Sequence, residues 1–190
     1  MKILLTGGGT GGHFYPLIAI AEKLNILAEE QKILNMKLYY MSNTPYDSTL
    51  LFENGITYVE VPAGKMRIYF SLRNIVDIFR AGAGAFWGLV SMFFIYPDVV
   101  ISKGGYAAFP AVFAAKILRI PVVLHESDSV PGRLNTWTGR FAEKIAVSWP
   151  EAVQFFDTKK TAVTGQPIRR DILTGSPEGA HAYFNLDPAI

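Results

Sequence analysis

The sequence predicts an α/β fold, a doubly wound parallel sheet of the Rossmann-like type. Short apolar runs rich in β-branched residues alternate with segments of helical spacing along the chain. Gly-rich or polar residues directly follow three of these runs, and half of the 190 residues are hydrophobic, which is enough for one sizeable core. Strands that alternate with helices form parallel sheets with helices on both faces, because crossovers between parallel strands are right-handed.

Each element is predicted from its local pattern. Strands are expected at residues 2–6, 37–41, 56–61, 98–102, 121–125, 144–148 and 161–164. Helices are expected at residues 16–30, 47–53, 71–96, 109–119 and 135–142. In the first helix Leu17, Ile20 and Leu24 fall on one stripe, and Pro16 is placed in the first turn. The helix at 71–96 is expected to be loosened or broken near its glycines.

The change of composition near residue 170 predicts a domain boundary. Residues 1–170 are expected to form one Rossmann-like domain. Beyond them the run 174–179 is rich in Gly, Ser and Pro, which is typical of a linker. We therefore expect residues 171–190 to be a linker or the start of a further domain.

Charge and composition exclude several classes of protein. The formal net charge is only +2, which argues against a strongly basic nucleic-acid binder. No cysteine is present, so disulfides and thiolate metal sites are excluded. The N-terminus does not resemble a signal peptide, because glycines follow a short apolar run at once. The uncharged stretch between Arg80 and Asp98 is at the lower limit for a membrane span, and its glycines favour a buried or interfacial helix.

The first candidate motif is the glycine-rich run Gly7–Gly12, between a strand and a helix. It has five glycines in six residues, so backbone amides and a helix N-terminus can approach an anion such as a diphosphate. A plain tight turn is the simplest alternative. Three of the glycines also fit the G-x-G-x-x-G pattern of dinucleotide cofactors, but the second strand runs into Ser42–Thr44, and the first carboxylate is Asp47. No cofactor is therefore predicted.

Two further motifs follow later strands. His13, just after the first glycine run, is a candidate general base, with helix capping and phosphate binding as alternatives. Lys103–Tyr106 repeats the strand-glycine-helix arrangement, so both loops can converge on one anionic ligand at the carboxyl edge of the sheet. His125 and Glu126, with Asn135 further on, reach the same edge and can accept sugar hydroxyls or orient a base.

Two structural alternatives accompany the third motif. Ser127 and Asp128 are also suited to capping the helix that follows. As a zinc site the His125-Glu126 pair lacks a third ligand, so no metal site is predicted.

The region around residues 75–87 predicts a surface rather than a site. Ile75, Ile78, Phe79, Phe86 and Trp87 lie near the cationic residues Lys65, Arg67, Arg73 and Arg80. Apolar side chains flanked by cations suit an anionic bilayer surface. Packing of the same apolar face on the sheet is the alternative.

The order of these motifs resembles the N-terminal domain of the MurG family of glycosyltransferases, glycosyltransferase family 28. The resemblance rests on Gly7–His13 with Pro16, Ser102–Tyr106 with Pro110, and His125-Glu126 with Gly132 and Asn135. The segment Gly165-Gln166-Pro167-Ile168-Arg169 resembles the Gly-Asn-Pro-Val-Arg segment of the family. The resemblance covers about residues 1–170. It implies the N-terminal half of a GT-B fold, in which two Rossmann-like domains face each other across a cleft.

The resemblance also implies roles for the matched residues. The glycine loops would hold the acceptor diphosphate, and His13 and Glu126 are the catalytic candidates. The expected substrate-binding residues are Gly8, Gly9, Thr10, Gly11, Gly12, Lys103, Gly104, Gly105, Tyr106, His125, Asn135 and Arg169. Position 128 departs from the family pattern, because Asp128 stands where an amide is usual.

The activity implied by the resemblance is a step of peptidoglycan synthesis. N-acetylglucosamine would pass with inversion from UDP-N-acetylglucosamine to the muramoyl 4-hydroxyl of undecaprenyl-diphospho-muramoyl-pentapeptide, at the cytoplasmic side of the plasma membrane, with the protein peripherally bound. The family's Gly-Gly-Ser donor loop does not occur in this sequence. We therefore expect the chain to carry the acceptor half and to be inactive alone. A binding module for lipid-linked diphosphate and a related GT-B transferase with another acceptor are the alternatives.

Overall fold

A parallel seven-stranded sheet forms the centre of the protein, as predicted, in the order β3-β2-β1-β4-β5-β6-β7. The computed structural model describes residues 1–65, 73–173, 179 and 183, with the backbone alone at 73–75 and 173. The strands are β1 (Lys2–Gly7), β2 (Lys37–Ser42), β3 (Ile56–Glu60), β4 (Val99–Gly104), β5 (Val122–Glu126), β6 (Lys144–Val147) and β7 (Thr161–Val163). The predicted doubly wound fold class is confirmed.

Helices connect the strands and cover both faces of the sheet. They are α1 (Gly11–Glu30), α2 (Ser48–Glu53), α3 (Arg73–Ile95), α4 (Phe109–Leu118), α5 (Arg133–Gly139) and α6 (Arg170–Leu173). Short 3₁₀ helices occupy Tyr106–Ala108, Pro150–Phe155 and Thr158–Lys160. The predicted linker at 171–190 therefore begins inside α6, and most of it lies outside the described residues.

Alternation along the strands divides the core into two layers. Ile3 and Leu5 of β1 pack with Phe14 and Leu17 of α1 on one face, where α2 also contributes. Leu4 of β1 points to the other face, which α3 and α4 cover. The period of two in a strand produces this division, because consecutive side chains point to opposite faces of the sheet.

Helix α1 begins earlier than the sequence predicts. Thr10 is its extended N-cap and Gly11 its first residue, so Pro16 is the sixth residue of the helix and does not lie in the first turn. Proline lacks an N–H group, so the bond that residue 16 would donate to the carbonyl of Gly12 is lost. The buried Pro16 ring and the packing of Phe14 and Leu17 against β1 hold the helix together despite that loss.

Helix α3 is continuous from Arg73 to Ile95, so the predicted break near its glycines is wrong. The glycines serve close packing instead. A Cβ atom on Gly84 would lie 2.0 Å from the carbonyl oxygen of Pro62, and one on Gly88 would lie 2.9 Å from that of Pro110. Tertiary packing overrides the weak helix propensity of glycine here. The far end is held as well, since Lys2 Nζ donates to the carbonyl oxygen of Ile95 at 2.6 Å.

We predict opposite effects for alanine at two glycines of α3. Gly84→Ala should destabilise the protein by about 1–3 kcal/mol, because the new methyl group would collide with the backbone at Pro62. Gly82→Ala should stabilise it by roughly 0.5–1 kcal/mol, because Gly82 is exposed with open space around it and alanine favours helix. Urea denaturation measures both free energies, and equal effects would contradict the packing described.

Candidate functional site

The chain order of the strands creates a crevice between β1 and β4. From β1 the chain winds outward to β2 and β3 and then returns to β4 on the other side. At such a switch point the loops at the carboxyl ends of the two strands diverge to opposite faces and leave a ligand crevice. The two predicted glycine loops follow these strands, Gly8–Gly12 after β1 and Gly105 after β4.

The two glycine loops touch each other across this crevice. A Cβ atom on Gly105 would lie 2.5 Å from the carbonyl oxygen of Gly8, and Gly105 has a φ of +76°. A Cβ atom on Gly9 would lie 2.5 Å from the ring of Tyr106, and its φ is +90°. Glycine is required at both positions, because a side chain would meet both a close neighbour and an unfavourable backbone conformation.

His13 stands where the two loops meet. Its ring carbons Cγ and Cδ2 lie 3.5 Å from the position that a Gly105 Cβ atom would occupy. The hydroxyl of Thr10 lies 2.8 Å from His13 Nδ1. When Nδ1 carries the proton and donates it to Thr10, the Nε2 lone pair is left to accept a proton from a ligand. The site therefore contains an imidazole that can work as a base.

The surroundings of His13 favour its neutral form. Burial lowers the pKa of His13 below its ordinary 6.5, and the positive charge of Lys103 lowers it further. The carboxylates of Asp128 and Glu126 act in the opposite direction and raise the pKa. Since the net shift is downward, the imidazole is mostly unprotonated near pH 7 and available as a base.

Glu126 is a buried carboxylate held from two sides. Its Oε2 accepts a hydrogen bond from Asn135 Nδ2 at 2.9 Å, and its Oε1 accepts one from the backbone N–H of Asp128 at 2.9 Å. Asn135 is also buried, and its Oδ1 has no hydrogen-bond partner among the described residues. This oxygen is packed against Gly104, where a Cβ atom would lie 2.2 Å from it.

An open cavity of about 630 Å³ joins these groups. Five of the predicted site residues line it, namely His13, Gly105, Tyr106, Glu126 and Asn135. The other lining residues are not among the predicted site residues: Gly64, Ala81, Phe109, Asp128, Gly132, Arg133, Leu134 and Trp137. Most are small or apolar, and their spacing in the sequence is typical of any helix face. Only the packing of α3, α4 and α5 around the crevice brings them together.

Lys103 and His125 lie behind the cavity wall. Lys103 is 1% exposed, and its Nζ lies 2.8 Å from His125 Nδ1. Arg169 stacks over the ring of Tyr15 at 5.1 Å, and its buried Nε has no hydrogen-bond partner among the described residues. These three residues do not line the cavity. Their direct contact with a ligand remains a prediction, as does that of the loop residues.

Helix α3 presents a long apolar face to solvent. Phe79, Phe86 and Trp87 of the predicted surface are 75%, 60% and 54% exposed. Arg67 and the side chains of Ile75 and Arg73 lie outside the described part of the chain. Ile78, also part of the predicted surface, is exposed too, and further exposed apolar residues extend this face: Val76, Phe93, Phe94 and Tyr96. By length and composition Val76–Ile95 could cross a membrane, with 17% of the stretch buried in the protein.

The described residues contain no group of three or more His, Asp or Glu side chains arranged to hold a metal ion.

Comparison with known proteins places the chain. The sequence model of the glycosyltransferase family 28 N-terminal domain matches residues 3–147. The UDP-N-acetylglucosamine--N-acetylmuramyl-(pentapeptide) pyrophosphoryl-undecaprenol N-acetylglucosamine transferase of Lachnospira eligens is 41% identical over 92% of this chain and 48% of its own length. A Bacillus cereus protein, whose name differs only by a final 2, is 38% identical over 97% of this chain and 51% of its own length. The chain thus spans about half the length of these curated relatives.

Solved structures agree with the fold. MurG of Acinetobacter baumannii superposes with a TM-score of 0.65 at 25% identity, over 89% of this chain and 46% of that protein. The UDP-GlcNAc 2-epimerase of Methanocaldococcus jannaschii superposes with a TM-score of 0.66 at 17% identity, over 97% of this chain and 52% of that protein. The second likeness shows the fold alone.

We predict that His13 titrates with a midpoint below 6.5, because burial and Lys103 both disfavour its protonated form. Glu126→Gln should lower the midpoint further, since the carboxylate raises it. Glu143→Gln, an exposed position at the start of β6, should leave it unchanged. NMR of the imidazole Cε1–H across pH 4–9, assigned with His13→Gln, measures the three midpoints. A midpoint at or above 6.5 in the unsubstituted chain would contradict the description.

Proposed function

This chain belongs to glycosyltransferase family 28, and we propose that it forms the acceptor-binding half of an N-acetylglucosaminyltransferase of peptidoglycan synthesis. The proposed reaction transfers N-acetylglucosamine from UDP-N-acetylglucosamine to the muramoyl 4-hydroxyl of undecaprenyl-diphospho-muramoyl-pentapeptide. The names of the Lachnospira and Bacillus relatives suggest this reaction. The observation that carries the proposal is the contact of the two glycine loops beside His13.

The loops supply the chemistry that a diphosphate requires. The first N–H groups of α1 have no partner inside the helix, and the helix dipole adds a partial positive charge at Gly11. The backbone at Gly9 and Gly105 can approach a ligand closely, because no side chain intervenes. We place the acceptor diphosphate against these amides, so that the muramoyl sugar extends into the cavity.

His13 is the proposed general base. As the muramoyl 4-oxygen attacks the anomeric carbon, its proton passes to His13 Nε2, and the bond from that carbon to the UDP oxygen breaks. Attack from the face opposite the leaving group inverts the configuration at this carbon. Thr10 supports the step, because its hydroxyl oxygen can accept a hydrogen bond from Nδ1–H, which leaves the Nε2 lone pair free to take the proton.

Glu126 and Asn135 are proposed to orient the sugar. Both line the cavity, and their mutual hydrogen bond fixes the Asn135 side chain in the cavity wall. Glu126 is the second catalytic candidate, and it is proposed to act through His13. Its carboxylate raises the pKa of His13 and so strengthens that base. Contacts to the uridine and to the donor sugar are proposed to come mainly from a second domain, as in the GT-B family.

The exposed face of α3 is proposed to dock on the cytoplasmic side of the plasma membrane. Exposed apolar patches of this extent are unusual on a soluble monomer, and the neighbouring Lys65 and Arg80 suit anionic lipid headgroups. Because α3 packs through Gly84 and Gly88 on the rest of the domain, the proposal is a peripheral helix that lies in the interface.

We predict that Gly105→Ala weakens binding of the lipid acceptor at least about tenfold, because the methyl group would displace the Gly8 carbonyl and open the loop contact. Gly55→Ala is the matched control, since Gly55 has a similar φ of +64° but open space around it and precedes β3 at the opposite edge of the sheet. Fluorescence anisotropy with labelled undecaprenyl-diphospho-muramoyl-pentapeptide in detergent micelles measures both affinities.

Three outcomes of this experiment and a turnover assay are informative. Equal affinity of the two variants would remove the loops from the acceptor site. Binding of the acceptor by the unsubstituted chain, with no turnover when a donor domain is supplied, would favour a binding module. Robust turnover by the chain alone with both substrates would show that the donor site lies within this domain, against the proposed division.

We predict that negative charge on the α3 face weakens vesicle binding. The double variant Phe79→Glu/Trp87→Glu should bind vesicles of anionic phospholipid at least about tenfold more weakly, because burial of both apolar side chains is lost. Phe52→Glu changes an equally exposed phenylalanine on α2 and should have little effect. Co-sedimentation at low and physiological salt measures both, and undiminished binding by the double variant would overturn this docking surface.

A further inference from the structure

The segment after β7 crosses the carboxyl edge of the sheet. Residues 164–170, which we call the strap, lead from the last strand back towards the first. The carbonyl oxygen of Gly165 lies 3.1 Å from His125 Nε2 at the end of β5. Arg169 stacks on Tyr15 of α1, and the backbone N–H of Arg170 donates to Glu22 of α1 at 3.2 Å. The strap therefore spans the strand ends behind the cavity.

One amide oxygen connects the strap to three strand ends. Gln166 Oε1 accepts hydrogen bonds from Ser127 Oγ at 3.0 Å, from Ser148 Oγ at 2.9 Å and from Lys103 Nζ at 3.4 Å. Ser127 follows β5, Ser148 follows β6, and Lys103 lies in β4. An acceptor with three donors from three strands acts as the centre of a network.

The three N–H bonds of the Lys103 ammonium group all have partners. They point to His125 Nδ1, to Ser127 Oγ and to Gln166 Oε1. All three acceptors are neutral. Because an ammonium group can only donate, His125 Nδ1 must accept, so the ring proton lies on Nε2, where it is donated to the carbonyl oxygen of Gly165.

We propose that Lys103 is a positioning residue, whose ammonium group holds His125 as the Nε2-protonated tautomer and, together with Gln166, fastens the strap across the ends of β4, β5 and β6. Both ring nitrogens of His125 are occupied by this network, so among the described residues His13 is left as the imidazole that can exchange protons with a ligand. The strap in turn fixes Arg169 against Tyr15, two residues beyond His13. The role of His13 rests on the proposed function, whereas the network itself does not.

The charges around the network are consistent with this arrangement. Burial lowers the pKa of Lys103 to about 8, while Glu126 and Asp128 raise it, so the ammonium form persists at neutral pH. Burial and the Lys103 charge together lower the pKa of His125 to about 4. Between these two values the lysine is charged and the histidine neutral, which is the combination that the hydrogen bonds require.

The tautomer of His125 tests the proposal on the unsubstituted chain. Long-range ¹H–¹⁵N correlation spectra of the ¹⁵N-histidine-labelled protein distinguish Nε2-protonated from Nδ1-protonated rings. At pH 6.5 His125 should be the neutral Nε2-protonated form, with no titration above about pH 5. An Nδ1-protonated ring, or a midpoint near 6.5, would overturn the proposal. The experiment requires neither substrate nor membrane, so its failure is independent of the proposed function.

Substitution of Lys103 tests whether its own charge, and not the loss of any positive charge from the sheet, changes the pKa of His125. Lys103→Met should raise the His125 midpoint by at least about one pH unit, because the neighbouring cation is removed. Lys144→Met is the control, since Lys144 is exposed at the start of β6 and the substitution removes the same charge from the same sheet. A midpoint that responds equally to both variants would overturn the assignment.

A change in the strap itself keeps the proposal testable if Lys103→Met does not fold. Gln166→Met alters an exposed residue and removes the shared acceptor oxygen. Amide exchange in the peptide 164–170, followed by mass spectrometry, should become at least about fivefold faster. Ser129→Ala, at an exposed position in the β5–α5 connection, should leave exchange unchanged. Unchanged exchange in Gln166→Met would show that the strap is held by other contacts.

Discussion

The close approach of two backbone segments at the switch point determines the rest of the site. The parallel register pairs Leu5 of β1 with Ile101 of β4, so the two strands end side by side. The loops that leave them can meet only where side chains are missing, and Gly8 and Gly105 meet that condition. The position of His13 follows from the same geometry, because α1 begins directly after the first loop and carries the imidazole in its first turn.

Behind this contact a charged side chain, Lys103, is buried in a domain whose core is otherwise mainly apolar. An ammonium group that is 1% exposed is costly to bury unless all of its donors are satisfied. Lys103 meets that requirement with neutral acceptors from β5 and from the strap. The same charge lowers the pKa of both nearby imidazoles, and His13 is the one whose ring lies at the cavity. Lys103 therefore holds the strap at the edge of the sheet and also lowers the pKa of His13, the proposed base.

Local patterns predicted the strands, both glycine loops and the sheet class, because each depends on residues close in sequence. Local patterns failed where contacts between residues distant in sequence determine the structure. The continuity of α3 depends on Pro62 and Pro110, which turn Gly84 and Gly88 from helix breakers into contact points. The early start of α1 depends on packing against β1 that outweighs Pro16. The network at Gln166 joins residues 18 to 63 positions apart, so no window of the sequence contains it.

The direction of α3 connects the site to the proposed membrane surface. The helix runs antiparallel to the strands: Ala81 in its first half lines the cavity, and Lys2 at the opposite edge binds the carbonyl of Ile95 at its end. Twenty-three residues extend over about 34 Å, so the exposed face passes from one edge of the sheet to the other. A helix docked lengthwise would place the crevice at the level of the headgroups, where a diphosphate attached to a lipid lies. A helix inserted across the bilayer would have to leave its glycine contacts with Pro62 and Pro110, so the packing that keeps α3 continuous also favours the peripheral arrangement.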